Sequence, residues 1–301
     1  MAARGYVFVL LAAMMWGSLG PVARYAFSQG IDPLEVAFWR CIIPFIPFCF
    51  QALRQGNTHI DTADRPMVAG FGLLCIAAFY GFYQLAIESG GAALASVLMY
   101  TAPAWVALMA WGFLGERMSA AKLAAVAATL AGVAAVSGVL GADSTVTMKA
   151  LVFGILSGVT YAMYYIFGKR LQPKYSTPQL FLYSLPLGAI VLFPFVEFHH
   201  KTPEAWLAIV TVAMLSTWGA YTAYFAGLKH IEATRASVVA TIEPLVAAVT
   251  AYAWWGERFT ASGYMGSLLI LGAVGLIVWD GRKANGGPAP ALPQRSRRGG
   301  S

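Results

Sequence analysis

Ala95-Ser96-Val97 leads to Pro103 and then to Gly115-Glu116-Arg117; Ala236-Ser237-Val238 leads to Pro244 and then to Gly256-Glu257-Arg258. The shift is 141 positions throughout, with no gap. Extended backwards at that shift, Tyr80 falls on Tyr221, Tyr83 on Tyr224 and Ala92 on Ala233, while Ala107 and Ala110 fall on Ala248 and Ala251. That makes twelve identities over the 38 positions from Tyr80 to Arg117. Alanine matches are cheap in an alanine-rich chain. The tyrosine pair, the proline and the Gly-Glu-Arg ending are not, so the chain holds a true internal repeat.

The repeat lies in a chain that is 59% hydrophobic and 11% charged, with mean hydropathy +0.66. A soluble domain carries roughly 25% charged residues. The deficit makes this an integral membrane protein, with room for about ten spans of about 20 residues. The net charge of +7 owes much to Arg282, Lys283, Arg295, Arg297 and Arg298, beyond the last acid, Asp280. These residues follow a span directly, so they suit a cytoplasmic tail against anionic headgroups and not a nucleic acid. Cys41, Cys49 and Cys75 all lie in apolar runs, without metal-ligand spacing, and read as small buried residues.

The predicted helices run over about 5–27, 33–53, 66–87, 92–113 and 119–139, then 148–169, 178–197, 205–228, 233–254 and 260–280. Arg4 before an apolar stretch resembles a signal peptide, but the stretch is too long and retains Trp16 and Gly17. Asp32-Pro33, Pro66 and Ser119 mark helix starts. The organisation is therefore a first five-helix repeat over 1–140, a polar connection over 141–147, a second repeat over 148–280, and a basic tail over 281–301 expected to be disordered. Helices 1 and 2 recur as 6 and 7 more faintly, with Trp16 on Tyr161 and Asp32-Pro33 on Thr177-Pro178 at a shift of 145.

With the N-terminus in the cytoplasm, 15 of the 20 basic residues lie inside, and Arg24, Arg40, Lys149, Lys201 and Arg258 lie outside or within spans. Both termini are thus placed in the cytoplasm. Five spans per repeat is an odd number, so the second copy is inserted upside down. The fold class is an all-α integral membrane protein of ten transmembrane helices in two inverted five-helix repeats. Inverted repeats around a midplane site provide two equivalent packings that exchange roles across a membrane.

No HExxH, Walker loop or nucleophile elbow is present, and no catalytic residue, cofactor or metal site is expected. His59, His199, His200 and His230 sit in predicted loops, where solvated side chains are the plain reading. Charge within spans is more informative, because charge at depth is costly. Arg40, in Phe38-Trp39-Arg40, and Glu243, just before Pro244, are the two such residues. Glu243 is read either as a proton- or cation-binding group or as a structural acid tied to a neighbouring helix; its repeat counterpart is Ala102. Pro103 and Pro244 each remove one helical hydrogen bond, making matched weak points for a ligand or a hinge.

Aromatic residues form the second constellation. Tyr80 and Tyr83, and Trp218, Tyr221 and Tyr224, make stripes on helices 3 and 8. Trp16, Tyr100, Trp105, Tyr161, Tyr164 and Tyr165 add to them from helices 1, 4 and 6. Such a wall suits a planar or amphipathic solute, or a cation; the alternative is plain packing. Ala124, Ala128 and Gly132 on helix 5, and Gly263, Gly266, Gly272 and Gly275 on helix 10, permit close helix contact and suggest scaffold or a subunit interface.

Phe38-Trp39-Arg40, Thr101-Ala102-Pro103 with Gly115-Glu116-Arg117, and Glu243-Pro244 with Gly256-Glu257-Arg258 resemble the ten-helix, two-repeat exporters of the drug/metabolite transporter superfamily, over about residues 5–280. The resemblance implies small-molecule export across a bacterial inner membrane, and the aromatic wall is most similar to that of the aromatic-amino-acid exporters. On this reading Trp16, Tyr80, Tyr83, Tyr100, Trp105, Tyr161, Tyr164, Tyr221 and Tyr224 line a central cavity. Arg40 and Glu243 supply polarity or coupling, and Pro103 and Pro244 the gating breaks. The expected partners are a small solute and the bilayer, in a monomer or a homodimer through helices 5 and 10. The rival readings are a multidrug or cationic-compound exporter, a nucleotide-sugar or lipid carrier, an intramembrane enzyme and a non-transporting receptor subunit. A phosphate carrier calls for more basic residues at depth than Arg40, and an enzyme for a partner to Glu243.

Overall fold

A computed structural model describes residues 2–136, 147–256 and 261–286. Among the described residues there are helices and no strands. Eight helical stretches are long and apolar enough to cross a bilayer, and two shorter apolar helices, Ala3–Gly17 and Ala120–Val136, join them. In hydrocarbon each backbone polar group must find its partner within the segment, which helices accomplish.

The first predicted helix is corrected to two pieces, α1 (Ala2–Gly17) and α2 (Leu19–Ser28). At the joint the Ser18 hydroxyl donates to the Met15 carbonyl at 2.9 Å, a back-bond that bends helices. α3 (Pro33–Arg54) opens as predicted, with the Asp32 carboxylate accepting from the Leu34 amide and Pro33 in the first turn. The third span is α4 (Arg65–Gly70), a π-helix over Phe71–Ala78, and the first part of α5 (Phe79–Met99), whose last part begins the fourth span. α5 carries helical hydrogen bonding through residues 88–91, where a loop is predicted. Ser89-Gly90-Gly91 has no proline to stop the ladder, and the apolar windows Arg65–Ile87 and Leu94–Leu114 stay separate on either side.

α6 (Ala102–Leu114) and α7 (Ala120–Val136) complete the first repeat, with the Ser119 hydroxyl capping the Lys122 amide at 3.1 Å. α8 (Met148–Leu171) starts on a Thr147 cap, and α9 (Thr177–Leu192) on a Ser176–Gln179 capping box before ending in one 3-10 turn, Phe193–Phe195. α10 (Pro203–Val212), a second π-helix (Ala213–Gly219) and α11 (Ala220–Leu228) form the eighth span. α12 (Ala233–Ala240) and α13 (Glu243–Trp255) form the ninth. α14 (Ala261–Gly286) runs beyond Asp280 into the predicted tail. The rest of that tail, most of the 141–147 connection, and Glu257-Arg258 lie outside the described residues.

The repeat returns in the backbone. Moved by 141, the first π-helix falls on 212–219 and overlies the second, Ala213–Gly219. The fourth span breaks at Tyr100-Thr101 and the ninth at Thr241-Ile242, each just before its proline. The helices that follow both end on a left-handed glycine, Gly115 at φ 68° and Gly256 at φ 69°, a conformation that penalises any Cβ.

Each break is covered by the other repeat. A Cβ on Gly17 of α1 would lie 2.6 Å from the Glu243 carbonyl oxygen, and one on Gly158 of α8 would lie 2.7 Å from the Leu98 carbonyl oxygen. Glycine here admits backbone against backbone. α7 and α14 pack closely on each other, where a Cβ on Gly132 would lie 2.8 Å from the Gly266 carbonyl oxygen. α3 lies along α9, with the Phe48 and Phe181 rings stacked at 4.8 Å. Val7, Ile46, Phe50, Leu108, Phe113, Ile190, Leu207 and Leu268 face outward, as a lipid-facing surface requires.

Candidate functional site

Tyr80 and Tyr221, equivalent in the two repeats, meet with their hydroxyls 3.5 Å apart. A residue touches its own counterpart only on the axis that relates the two copies, so this pair marks the centre of the repeat arrangement. Both are buried, 6% and 5% exposed, and both follow a π-helix, a device frequent at functional sites.

Arg40 joins them from α3. Its guanidinium carbon stands 4.7 Å from the centre of the Tyr80 ring, and its Nε donates to the Thr217 hydroxyl at 3.3 Å. Pro44, one turn on, cannot donate to the Arg40 carbonyl, so the helix is loosened at this point. Thr217 belongs to the second π-helix, as does Ser216, whose carbonyl accepts from the Trp16 indole at 2.8 Å. The second π-helix thus hands a backbone carbonyl and a hydroxyl group to the centre.

Glu243 sits across from Arg40 at the break between α12 and α13, half-buried. Tyr100, from the equivalent break in the first repeat, and Tyr83 and Tyr161 lie within its electrostatic reach. Arg40 and Glu243 act on one another through space, but they form no ion pair. Phe79 stacks on Tyr161 at 5.1 Å and on Tyr83 at 6.2 Å, making an apolar wall beside the two charges.

Trp16, Tyr164, Tyr165 and Tyr224 pack together toward the end that carries Arg170 and Glu116. Tyr164 lies 5.3 Å from Tyr224, Tyr165 5.3 Å from Tyr224, and Trp16 5.6 Å from both Tyr221 and Tyr224. Phe71, Phe181 and Phe225 close the layer. The hydroxyls of Tyr164 and Tyr224 are sealed here without a hydrogen-bond partner. Trp105 stays on its own helix, donating to the Thr101 hydroxyl at 3.1 Å. Of the predicted residues, the structure therefore gathers Tyr80, Tyr221, Tyr83, Tyr100, Tyr161, Arg40 and Glu243 around one centre. It stacks Trp16, Tyr164 and Tyr224 behind it and leaves Trp105 apart.

Beyond the aromatic layer the same end is tied by charge. Glu116 accepts from the amides of Ala233 and Thr234, at 2.6 and 3.3 Å, and from the Thr234 hydroxyl at 2.8 Å. Buried Lys122 pairs with Glu232 at 2.8 Å, and Arg235 joins Glu232 and Asp280 at 2.5 and 2.8 Å. Burial pushes the Glu232 carboxyl up, but Lys122 and Arg235 outweigh it and hold the group below the usual glutamate range. At the opposite end Glu35, fully buried, pairs with Lys201 and accepts from the His199 amide at 3.1 Å. The Lys201 ammonium lies 5.3–5.9 Å from the rings of Trp39, Phe198 and Trp206. The His199 ring, still exposed, also lies 3.3 Å from a Glu35 carboxylate oxygen.

Glu35, Lys201, Thr217 and Phe79 carry no sequence mark that separates them from ordinary helix-start, loop and core residues. Surface clefts of about 520 and 540 Å³ lie elsewhere, the first lined by Val22, Leu207 and Trp254, the second by Ile60, Val68 and Tyr183.

Two inverted all-helical repeats, with charged and aromatic groups converging on their common axis, define a multi-pass membrane transporter. The chain belongs to the EamA-like transporter family, which matches residues 3–138 and 148–279. It is 29% identical to an uncharacterized transporter of Archaeoglobus fulgidus, over 91% of this chain and 96% of that one. It is 27% identical to the uncharacterized inner membrane transporter YicL of Salmonella typhimurium, over 93% and 97%. It is 26% identical to a probable terminal-alkyne amino-acid exporter of Streptantibioticus cattleyicolor, over 89% and 91%. A solved crystal structure shares the fold with a TM-score of 0.81 over 94% of this chain and 99% of that one, at 16% identity.

Proposed function

We propose that the protein exports small metabolites, amino acids with a preference for aromatic or amphipathic ones, across a bacterial inner membrane by alternating access. The observation that carries this reading is the pair Tyr83 and Tyr224. They are equivalent at the 141 shift, yet Tyr83 is half-buried beside Glu243 while Tyr224 is 0% exposed within the aromatic layer. One sequence position in two environments is what inverted repeats produce when one gate is shut and the other is not. The shut side is the one carrying Glu116, Lys122 and Arg235, which the distribution of basic residues assigns to the cytoplasm.

The aromatic centre supports an amphipathic solute, and the relative named as a probable amino-acid exporter supports the class. The working unit on this reading is the monomer, since α7 and α14 use their close glycine contact on each other. Counterflow of radiolabelled amino acids in proteoliposomes, with and without a pH gradient, tests the proposal. Tyr83→Ala and Tyr100→Ala are expected to abolish flux while the protein still inserts. Full flux in both variants removes the site, and no flux of any amino acid in the unaltered protein removes the function.

A further inference from the structure

Two opposite charges that face each other across a protein interior normally close into an ion pair, because each alone at depth is costly. Arg40 and Glu243 do not close. They stand on α3 and at the α12–α13 break, each half-buried and each sensing the other's charge, without an ion pair between them. Among the described residues, neither forms an ion pair with another protein charge. The only hydrogen bond Arg40 makes among the described residues runs from Nε to Thr217, which leaves both terminal nitrogens of its fork without an acceptor among them. The side chains within electrostatic reach of Glu243 include the neutral hydroxyls of Tyr100, Tyr83 and Tyr161.

The groups around them explain why they stay apart. The Arg40 guanidinium is held over the Tyr80 ring at 4.7 Å and tethered to the second π-helix through Thr217. Glu243 is held by a helix break whose backbone is pinned against Gly17. The two charges are therefore fixed on different elements, with the Phe79–Tyr161 stack beside them.

We propose that Arg40 and Glu243 together read a zwitterion: Arg40 takes the carboxylate of an α-amino acid, Glu243 takes its ammonium group, and the aromatic wall takes the side chain. The inference rests on the transport reading above and narrows it. The carboxylate fits the planar two-donor fork of arginine, which a lysine does not reproduce. The ammonium fits a carboxylate flanked by tyrosine hydroxyls. A solute bearing one charge leaves one of the two groups desolvated and unpaired, and that is the physical origin of the selectivity.

The test is competition against counterflow of tritiated L-phenylalanine and L-leucine in proteoliposomes of the unaltered, full-length protein. Unlabelled L-phenylalaninamide and 2-phenylethylamine lack the carboxylate, and N-acetyl-L-phenylalanine lacks the ammonium. Each is expected to compete at least about tenfold more weakly than L-phenylalanine, the scale of a lost charge-assisted contact. Arg40→Gln should weaken the amino acid while leaving the amine unchanged. Glu243→Gln should weaken the amino acid while leaving the N-acetyl compound unchanged. Equal competition by the amide, the amine and the amino acid overturns the proposal and makes Glu243 a cation site, while the transport reading stands because flux is seen. Absence of any amino-acid counterflow overturns both. The analogue panel needs no substitution, so it decides the matter even where a variant fails to fold.

Discussion

The carboxylate of Glu116 caps a helix that starts more than a hundred residues later: it accepts the Thr234 amide at 3.3 Å and the Thr234 hydroxyl at 2.8 Å, beside the Ala233 amide at 2.6 Å. The glutamate of a repeated Gly-Glu-Arg thus satisfies the buried N-terminal amides of α12 in the other repeat, and favours its positive end. Glu116→Ala is expected to leave two buried amides unpartnered and to lower stability by about 2–4 kcal/mol. Glu116→Asp should recover part of the loss. Thermal unfolding of the detergent-solubilised protein measures it, and an unchanged midpoint for the alanine variant refutes the capping role.

Tyr224 presents the opposite case. Its hydroxyl is sealed without a partner among Trp16, Tyr164 and Tyr165. Tyr224→Phe removes that unpaired group and keeps the ring, so the packed aromatic layer should gain about 1 kcal/mol. The expected signs are a higher unfolding temperature and slower counterflow. A fall in stability indicates that the hydroxyl has a partner.

Gly17 bears on the break at Glu243 more directly than any side chain. Because an added Cβ would meet the Glu243 carbonyl oxygen and the Val246 side chain, both at 2.6 Å, Gly17→Val must push α1 away from α13. A loss of at least about 2 kcal/mol is expected, together with lost flux. Gly272→Ala, where an added Cβ meets nothing within 4 Å, serves as the control. Equal behaviour of the two variants contradicts the packing described.

The end that carries Glu116, Lys122 and Arg235 has a pH signature. Glu232 is held below its ordinary value of 4.5 by Lys122 and Arg235, so the native state favours its charged form. Its contribution is complete above the unfolded pKa and is lost as pH falls through the lower folded value. Unfolding temperature should therefore drop below about pH 4.5 more steeply in the unaltered protein than in Glu232→Gln. Parallel curves would show that the pair does not stabilise the fold.

The helices were legible because their causes are local. Asp32-Pro33, Ser119 and the prolines at 103 and 244 act on residues within one turn, and the structure has caps or breaks at each. The joint at Ser18 was not legible, because a glycine and a serine inside an apolar run are compatible with a straight helix; contact with the Glu243 backbone accompanies the bend. Nor were the π-helices, since their sequences, Phe71–Ala78 and Ala213–Gly219, are as apolar and regular as their flanks.

Hydrophobic content, proline placement and a 141-residue shift are properties of the chain read linearly, and they were enough for the class, the ten helices and the inverted pairing. Which charges stay free is not such a property. Lys122 and Glu232, Arg235 and Asp280, and Glu35 and Lys201 are joined only after the helices pack, across separations that no local pattern records. The same packing leaves Arg40 and Glu243 on rigid, separate supports. Burial makes an isolated charge expensive; the sequence marks Arg40 and Glu243 as charges at depth, and the folded chain adds that, among the described residues, no ion pair closes on either.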